Sequence, residues 1–270
     1  NSPSLYNTYE YAKETVRGKA TELSDPSAAA KNDTGMDRKA ITAWSYGLDE
    51  TFSLLIPNVK GGATIKPVAG ENQLLGVDLT DKADDLPLSI EERQFIGQFP
   101  QYFGDQPMTN GPVYVGAFVL VLAILALFVV DTPMKWALFA ASVFSILLSW
   151  GHNFSALTDF FIDNIPGYNK FRAVASILVV LEFCVPLLAV MCVKTMMQTD
   201  DFLKRYGPTF YTITGVAALI CFLGWVSPSI FGTPFSEGET GQLSAMGIFS
   251  NPQYANVVNA VRQTRLSLVS

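Results

Sequence analysis

The chain has little of what most soluble enzymes use for chemistry. Among 270 residues there is one histidine, His152, there are three cysteines, and only 16% of residues are charged. Cys184, Cys192 and Cys221 are odd in number and all fall in apolar stretches, where a thiol behaves as a small buried hydrophobe. Neither a disulfide framework nor a metal cluster follows from them. No Gly-rich phosphate loop, nucleophile elbow or HExxH motif occurs. Lys and Arg number 18 against 24 Asp and Glu, which excludes the basic footprint of a nucleic-acid partner. No cofactor is evident, and one histidine with two nearby aspartates gives a divalent metal no real support. No positively charged leader precedes the polar opening at Asn1, so the expectation is an internal fragment of a longer chain.

Apolar residues are what the chain has in excess. They make up 49% of it, and the mean hydropathy is +0.27, outside the usual range of a soluble domain. The acidic excess belongs to one part. Residues 1–111 carry 10 Lys/Arg and 16 Asp/Glu, whereas residues 112–270 carry 8 of each. Crossing a hydrocarbon core of about 30 Å takes roughly 20 mostly apolar residues as helix. Four stretches qualify, at about 112–130, 136–151, 173–193 and 209–231. The fold class expected is therefore all-α, a polytopic helical membrane protein fragment of about four transmembrane helices. The positive residues Lys135, Lys194, Lys204 and Arg205 fall in two of the connecting loops, which places those loops in the cytoplasm. Residues 1–111, the loop 152–172 and the tail 232–270 then lie outside.

Helical spacing in LYNTYEYAKETV predicts a helix ending near Arg17, and residues 21–40 read as an exposed loop. Ser89 and Glu92 have capping-box spacing, which predicts a short helix over IEERQFIGQF. In the tail, Tyr254, Val257, Val258 and Val261 share a face, predicting an amphipathic helix on the membrane or on a neighbour.

Within the outer region, WSYGLDETFSLLIPNVKGG at 44–62 holds about seven apolar positions, roughly a third of a span, closed by Pro57. Such a segment dips into the interface or packs on protein. Trp44 and Tyr46 suit headgroup level. Asp49, Glu50, Asn58 and Lys60 would cluster at the outer mouth of the bundle, and Gly61-Gly62 permits a sharp turn. The segment either lines a binding site or plugs a loop onto its helices. Glu182 is the one charge in the third stretch, with Pro186 four residues on, and a mid-bilayer carboxylate needs protein, water or a proton. Asp159 and Asp163 are four apart, as for a shared helix face that serves a cation or is simply solvated. Arg17 and Arg172 are candidate phosphate ligands, since guanidinium pairs bidentately with phosphate.

The stretches LYNTYEYAKETVRGK, AWSYGLDETFSLLIPNVKGGA, QYFGDQPMTNGPVYVGAF and KWALFAASVFSILLSWGHNFSALTDFFIDNIPGYNKFRAVASIL cover most of residues 5–178. In them the sequence resembles the YfhO-like bacterial membrane protein family, in its versions from Bacteroidetes-type bacteria. The resemblance implies a polytopic enzyme of the bacterial inner (cytoplasmic) membrane, related to the C-type glycosyltransferases. It further implies helices before Asn1 and after Ser270, which would be partners in the fold along with the lipid bilayer. Such enzymes take a sugar from a polyprenyl-phosphate carrier and transfer it on the outer face. The usual catalytic acid lies in an earlier outer loop, so no catalytic residue is assigned. Trp44, Tyr46, Glu50, Asn58, Gly61, Gly62, Tyr102, Gln106, Tyr114, Arg17 and Arg172 occupy the family's recognisable positions. By this resemblance the expected substrate-binding residues are Arg17, Trp44, Tyr46, Glu50, Asn58, Lys60 and Arg172, with the two arginines holding the departing lipid phosphate. Two other readings stay open: a transporter or flippase, favoured by Glu182 beside Pro186, and a non-catalytic membrane scaffold.

Overall fold

The computed structural model describes residues 6–7, 10–11, 36–68, 71–74, 88–96, 99–109, 111–170 and 173–267. Among these the chain is helical apart from one antiparallel hairpin, β1 (Ile65–Val68) with β2 (Glu71–Leu74). The helices are α1 (Arg38–Ile41), α2 (Ile90–Ile96), α3 (Ala117–Val129), α4 (Met134–Ser149), α5 (Ser155–Asn164), α6 (Leu178–Gln198), α7 (Phe202–Val226), α8 (Glu237–Ala245) and α9 (Ala255–Leu266).

α6 packs between α3 and α4, and α7 packs on α3. The seam buries Leu122, Leu125, Ala126 and Val129 of α3 against Leu181, Val185, Leu188, Ala189 and Cys192 of α6. Ala126 and Cys192 are fully buried. Small side chains there let the two backbones approach, which is how apolar helices associate where no hydrophobic gain separates helix from lipid.

Two helices are long and apolar enough to cross a membrane: the segment Val174–Gln198, which α6 completes after a 3-10 turn, and α7. The bent pair Met134–Ser149 and Gly151–Asn164, turned by 109°, makes a third if counted as one span. The chain is thus a membrane-associated helical protein. The first predicted span differs in extent: its helix begins at Ala117 and has 13 residues, about 20 Å at 1.5 Å per residue. Residues 111–116 are non-helical, with Gly116 at φ +93°. Pro112 cannot continue a ladder, and Val113 spends both backbone groups on the 44–54 segment. Its N–H donates to Tyr46 Oη at 3.1 Å and its carbonyl accepts from Ser53 Oγ at 2.9 Å.

The chain alternates in direction through the bundle, so α3 and α6 begin at the end where α4 and α7 stop. Residues 44–62 cover that end. At it the chain leaves α4 through Gly151, whose φ is +50° and where a Cβ would lie 1.9 Å from Ser45 Oγ. Glycine is required there by the close approach of the cap.

A second layer is built from the tail. α9 packs on α2, burying Ile96, Leu243, Val257, Ala260 and Val261 with Phe235 and Phe95 alongside. The apolar face read from the sequence as lying on a membrane or a missing neighbour is buried here against this chain's own α2. α2 begins with the reciprocal Ser89/Glu92 bonds expected of a capping box, and α8 repeats the device with Ser236 and Glu239. Arg265 locks the layer: fully buried, it donates two 2.7 Å bonds to Glu239 and further bonds to the carbonyls of Pro234 and Pro100. Its guanidinium lies 5.3 to 5.8 Å from the rings of Phe99, Phe103 and Phe235.

Candidate functional site

The cap is anchored to the bundle by backbone and side-chain hydrogen bonds. Tyr46 N–H donates to Ser149 O at 2.8 Å, Ala175 N–H to Trp44 O at 3.2 Å, and Trp150 Nε1 to Thr51 Oγ1 at 2.9 Å. Ser53 gives its proton to Val113 O, so the 2.6 Å contact with Tyr46 Oη is a tyrosine donation. Burial pushes the Tyr46 phenol up from its ordinary value. Asp49–Leu54 form a 3-10 helix, and the apolar run continues through Leu55, Ile56 and Val59, which pack with Phe231 against α3 and α7. The segment is therefore a plug. It also positions polar groups.

Glu50 is fully buried. It accepts from Gly47 N–H at 3.0 Å, Tyr102 Oη at 2.8 Å and Gln106 Nε2 at 3.2 Å. No cation pairs with it among the described residues. Burial raises its carboxyl to about 7, with Asp105's charge adding to the rise and the three donors opposing it. Burial and the adjoining Glu50 charge likewise push the Tyr102 phenol up. Lys60 is buried as well. Its ammonium lies 2.5 Å from Asp49 Oδ2 and 5.5 Å from the centre of the Phe103 ring. A Cβ at Gly232 would meet Asp49 Oδ2 at 2.2 Å, so this pair needs a glycine beside it.

The sequence clusters Glu50 and Lys60 at the outer mouth of the bundle; both are buried there, Glu50 on Gly47, Tyr102 and Gln106 and Lys60 on Asp49. Asn58 is exposed at φ +60°, in the turn closed by Gly61 N–H donating to Asn58 O at 2.8 Å. A Cβ on Gly61 would meet Gln101 O at 2.0 Å, so the chain crossing explains that glycine. Trp44 Nε1 donates to Met108 O at 3.0 Å. Arg17 and Arg172 lie outside the described residues.

Tyr102 and Gln106, bonded to Glu50 of the cap, line with Asp105 a cavity of about 440 Å³ together with Thr64, His152 and, from the tail layer, Ser236, Glu237, Glu239 and Gln242. Asp105 is held by Asn153 Nδ2 at 3.4 Å, an amide that also donates to Tyr46 O at 3.0 Å. Burial raises the Asp105 carboxyl, and Asp49's charge raises it further. Asp105 lies in the stretch QYFGDQPMTNGP, where nothing in the local pattern singles it out, and the contribution of α8 had no sequence signal at all, since it depends on how the tail folds back. A separate apolar groove of about 350 Å³ opens at the same end, lined by Leu148, Tyr168, Val174, Ile177 and Val179.

Asp159 and Asp163 do share a helix face, but both are paired with one guanidinium. Arg38 reaches Asp159 at 2.5 Å and also bonds Asp163. Their partner came from a stretch read as loop, where α1 forms. Glu182 lies not at mid-span but in the second turn of α6, near the capped end, and is exposed. Among the described residues no group of three or more His, Cys, Asp or Glu is placed to hold a metal ion.

No protein-family model, curated protein or solved structure matches the chain.

Proposed function

We propose that the chain is part of an integral membrane glycosyltransferase that moves a sugar from a polyprenyl-phosphate carrier to a cell-envelope acceptor. In this reading α3 and α4 also cross the bilayer, making four spans, and the capped end faces outside the inner membrane of a bacterium. Lys135, Lys194, Lys204 and Arg205 then face the cytoplasm, as the positive-inside rule requires.

The observation that carries the reading is the pairing, at one end of an apolar bundle, of a polar cavity with an apolar groove. Leu148 lines the groove and His152 the cavity, four residues apart at the end of α4. A substrate with a sugar head and a hydrocarbon tail needs both surfaces side by side. Asp105, Gln106 and Gln242 offer the acceptors and donors that orient hydroxyl groups. Glu50 acts by holding Tyr102 and Gln106 in place, since three donors occupy it. Trp44, Tyr46, Asn58 and Lys60 support the cap's shape. Arg17 and Arg172 are the proposed holders of the departing phosphate. Negative charge grows on that phosphate during transfer, and a preplaced donor of this kind contributes roughly 10²–10³ in rate.

The test is transfer of radiolabelled sugar from polyprenyl phosphate by the full-length protein in liposomes. Arg17→Ala and Arg172→Ala are expected to slow turnover at least roughly 10²-fold. Unchanged turnover in both removes them from the mechanism, and no transfer by the wild type rejects the reading.

Glu182 favours a second reading. It is an exposed carboxylate on a stripe of α6 that also exposes Val179, Phe183, Val190 and Val193, and intramembrane carboxylates couple protons or ions in transporters. A proton-gradient requirement in vesicles with no covalent product selects that reading.

A further inference from the structure

We infer that the cavity between residues 102–107 and the tail layer takes a hydroxyl-rich ligand that also carries an ammonium group, an amino sugar with a free amine being the class that fits. The inference deepens the proposed function by naming the sugar chemistry of the same site, and rests on it only for what happens after binding.

The volume, about 440 Å³, is that of a small-ligand cleft. One wall comes from residues 102–107 and His152, the other from the start of α8. The Thr64 hydroxyl and the planar amides of Gln106 and Gln242 supply both donors and acceptors, as a polyol requires, while the Tyr102 hydroxyl is spent on Glu50 and the Gln106 N–H.

Charge then narrows the class. Among the described residues no Lys or Arg lines the cavity. Arg265 is paired with Glu239 of the lining, and Lys60 is paired with Asp49. Neither Asp105 nor Glu237 forms an ion pair among the described residues; beyond the effect of burial, the charge of Lys60 lowers the Asp105 carboxyl and that of Glu237 raises it, which places both near it. A phosphate or nucleotide would meet like charge on both walls and lose affinity. An ammonium meets two carboxylates that form no ion pair among the described residues, Asp105 being held only by the Asn153 amide, and hydrogen bonds to charged groups are the strong ones. A bare divalent cation is a poorer occupant, because no three candidate ligands converge among the described residues.

The experiment is saturation-transfer difference NMR on the full-length protein in detergent micelles, titrated with glucosamine, glucose and calcium chloride at a pH where the amine is protonated. Glucosamine is expected to saturate, with glucose weaker by roughly tenfold or more. Glu237 is exposed on α8, so Glu237→Gln and Glu237→Lys keep the fold, which a melting curve checks. The first is expected to cut glucosamine binding by roughly fivefold or more and leave glucose unchanged, and the second to abolish the preference. Asp105→Asn should act like Glu237→Gln. Equal binding of the two sugars, binding of neither, or displacement of glucosamine by calcium overturns the inference. Charge-selective binding without any sugar transfer would reject the proposed function and leave this inference standing. Transfer with no preference for the amine would do the reverse.

Discussion

Glu50 receives three hydrogen bonds and no cation among the described residues, so burial rather than pairing sets its proton affinity. The sign follows from the raised carboxyl. Below about 4.5 the group is neutral in both folded and unfolded chains. As pH rises through the interval to about 7, the unfolded chain gives up its proton first, and the native state loses stability. The full loss is about 3 kcal/mol for a displacement of this size. Thermal melts of the protein in detergent should therefore fall between about pH 4.5 and 7, and Glu50→Gln should flatten that fall. An unaltered slope in the variant would show that the carboxyl is not protonated in the fold. Residue types at the cap were legible in the sequence, but their roles were not. Asp49 sits beside Glu50 in the chain, yet it is Asp49 that takes Lys60 and Glu50 that takes Tyr102. Adjacent carboxylates on a 3-10 turn point different ways, and the pattern of letters does not say which way each points.

Among the elements, the helices of the bundle were the most legible, because long charge-free intervals have few alternatives in lipid. Their ends were less so. α3 starts five residues into its apolar interval because Val113 bonds to Tyr46 and Ser53 instead of to a helical turn. Ala126 of α3 is fully buried among the residues of the α3/α6 seam. Ala126→Leu is expected to destabilise by about 1–3 kcal/mol through overpacking, read as a lower midpoint in denaturant titration, whereas Ala218→Leu on the exposed face of α7 should change little. The tail layer depends on one buried charge. Arg265→Ala strips Glu239 and two carbonyls of their donor and should cost about 3–5 kcal/mol, since breaking one side of a buried pair leaves the other uncompensated. Protease nicking within residues 232–267 would report the loosened layer, and unchanged resistance would show that the aromatic packing alone suffices.

For the molecule as a whole, the sequence carried the architecture in two signals: apolar intervals for the bundle and an acidic, turn-rich region for what lies at its end. How the parts meet was not legible. The cap's Ser45 sits against Gly151 more than a hundred residues away, and α8 completes a cavity begun at residue 102. Such contacts come from chain reversal, which local periodicity does not encode. The central claim is that this end of the bundle receives a lipid-borne sugar, head in the polar cavity and tail in the groove. Photocrosslinking tests it most directly: a polyprenyl-phosphate sugar bearing a diazirine on the sugar is irradiated with the full-length protein in liposomes, and the adducts are mapped by mass spectrometry. The account predicts adducts on the peptides containing residues 102–107 and 236–242, competed away by unlabelled carrier. Adducts confined to the turns at 130–134 and 199–201, at the other end of the bundle, or to the exposed face of α7, would contradict it.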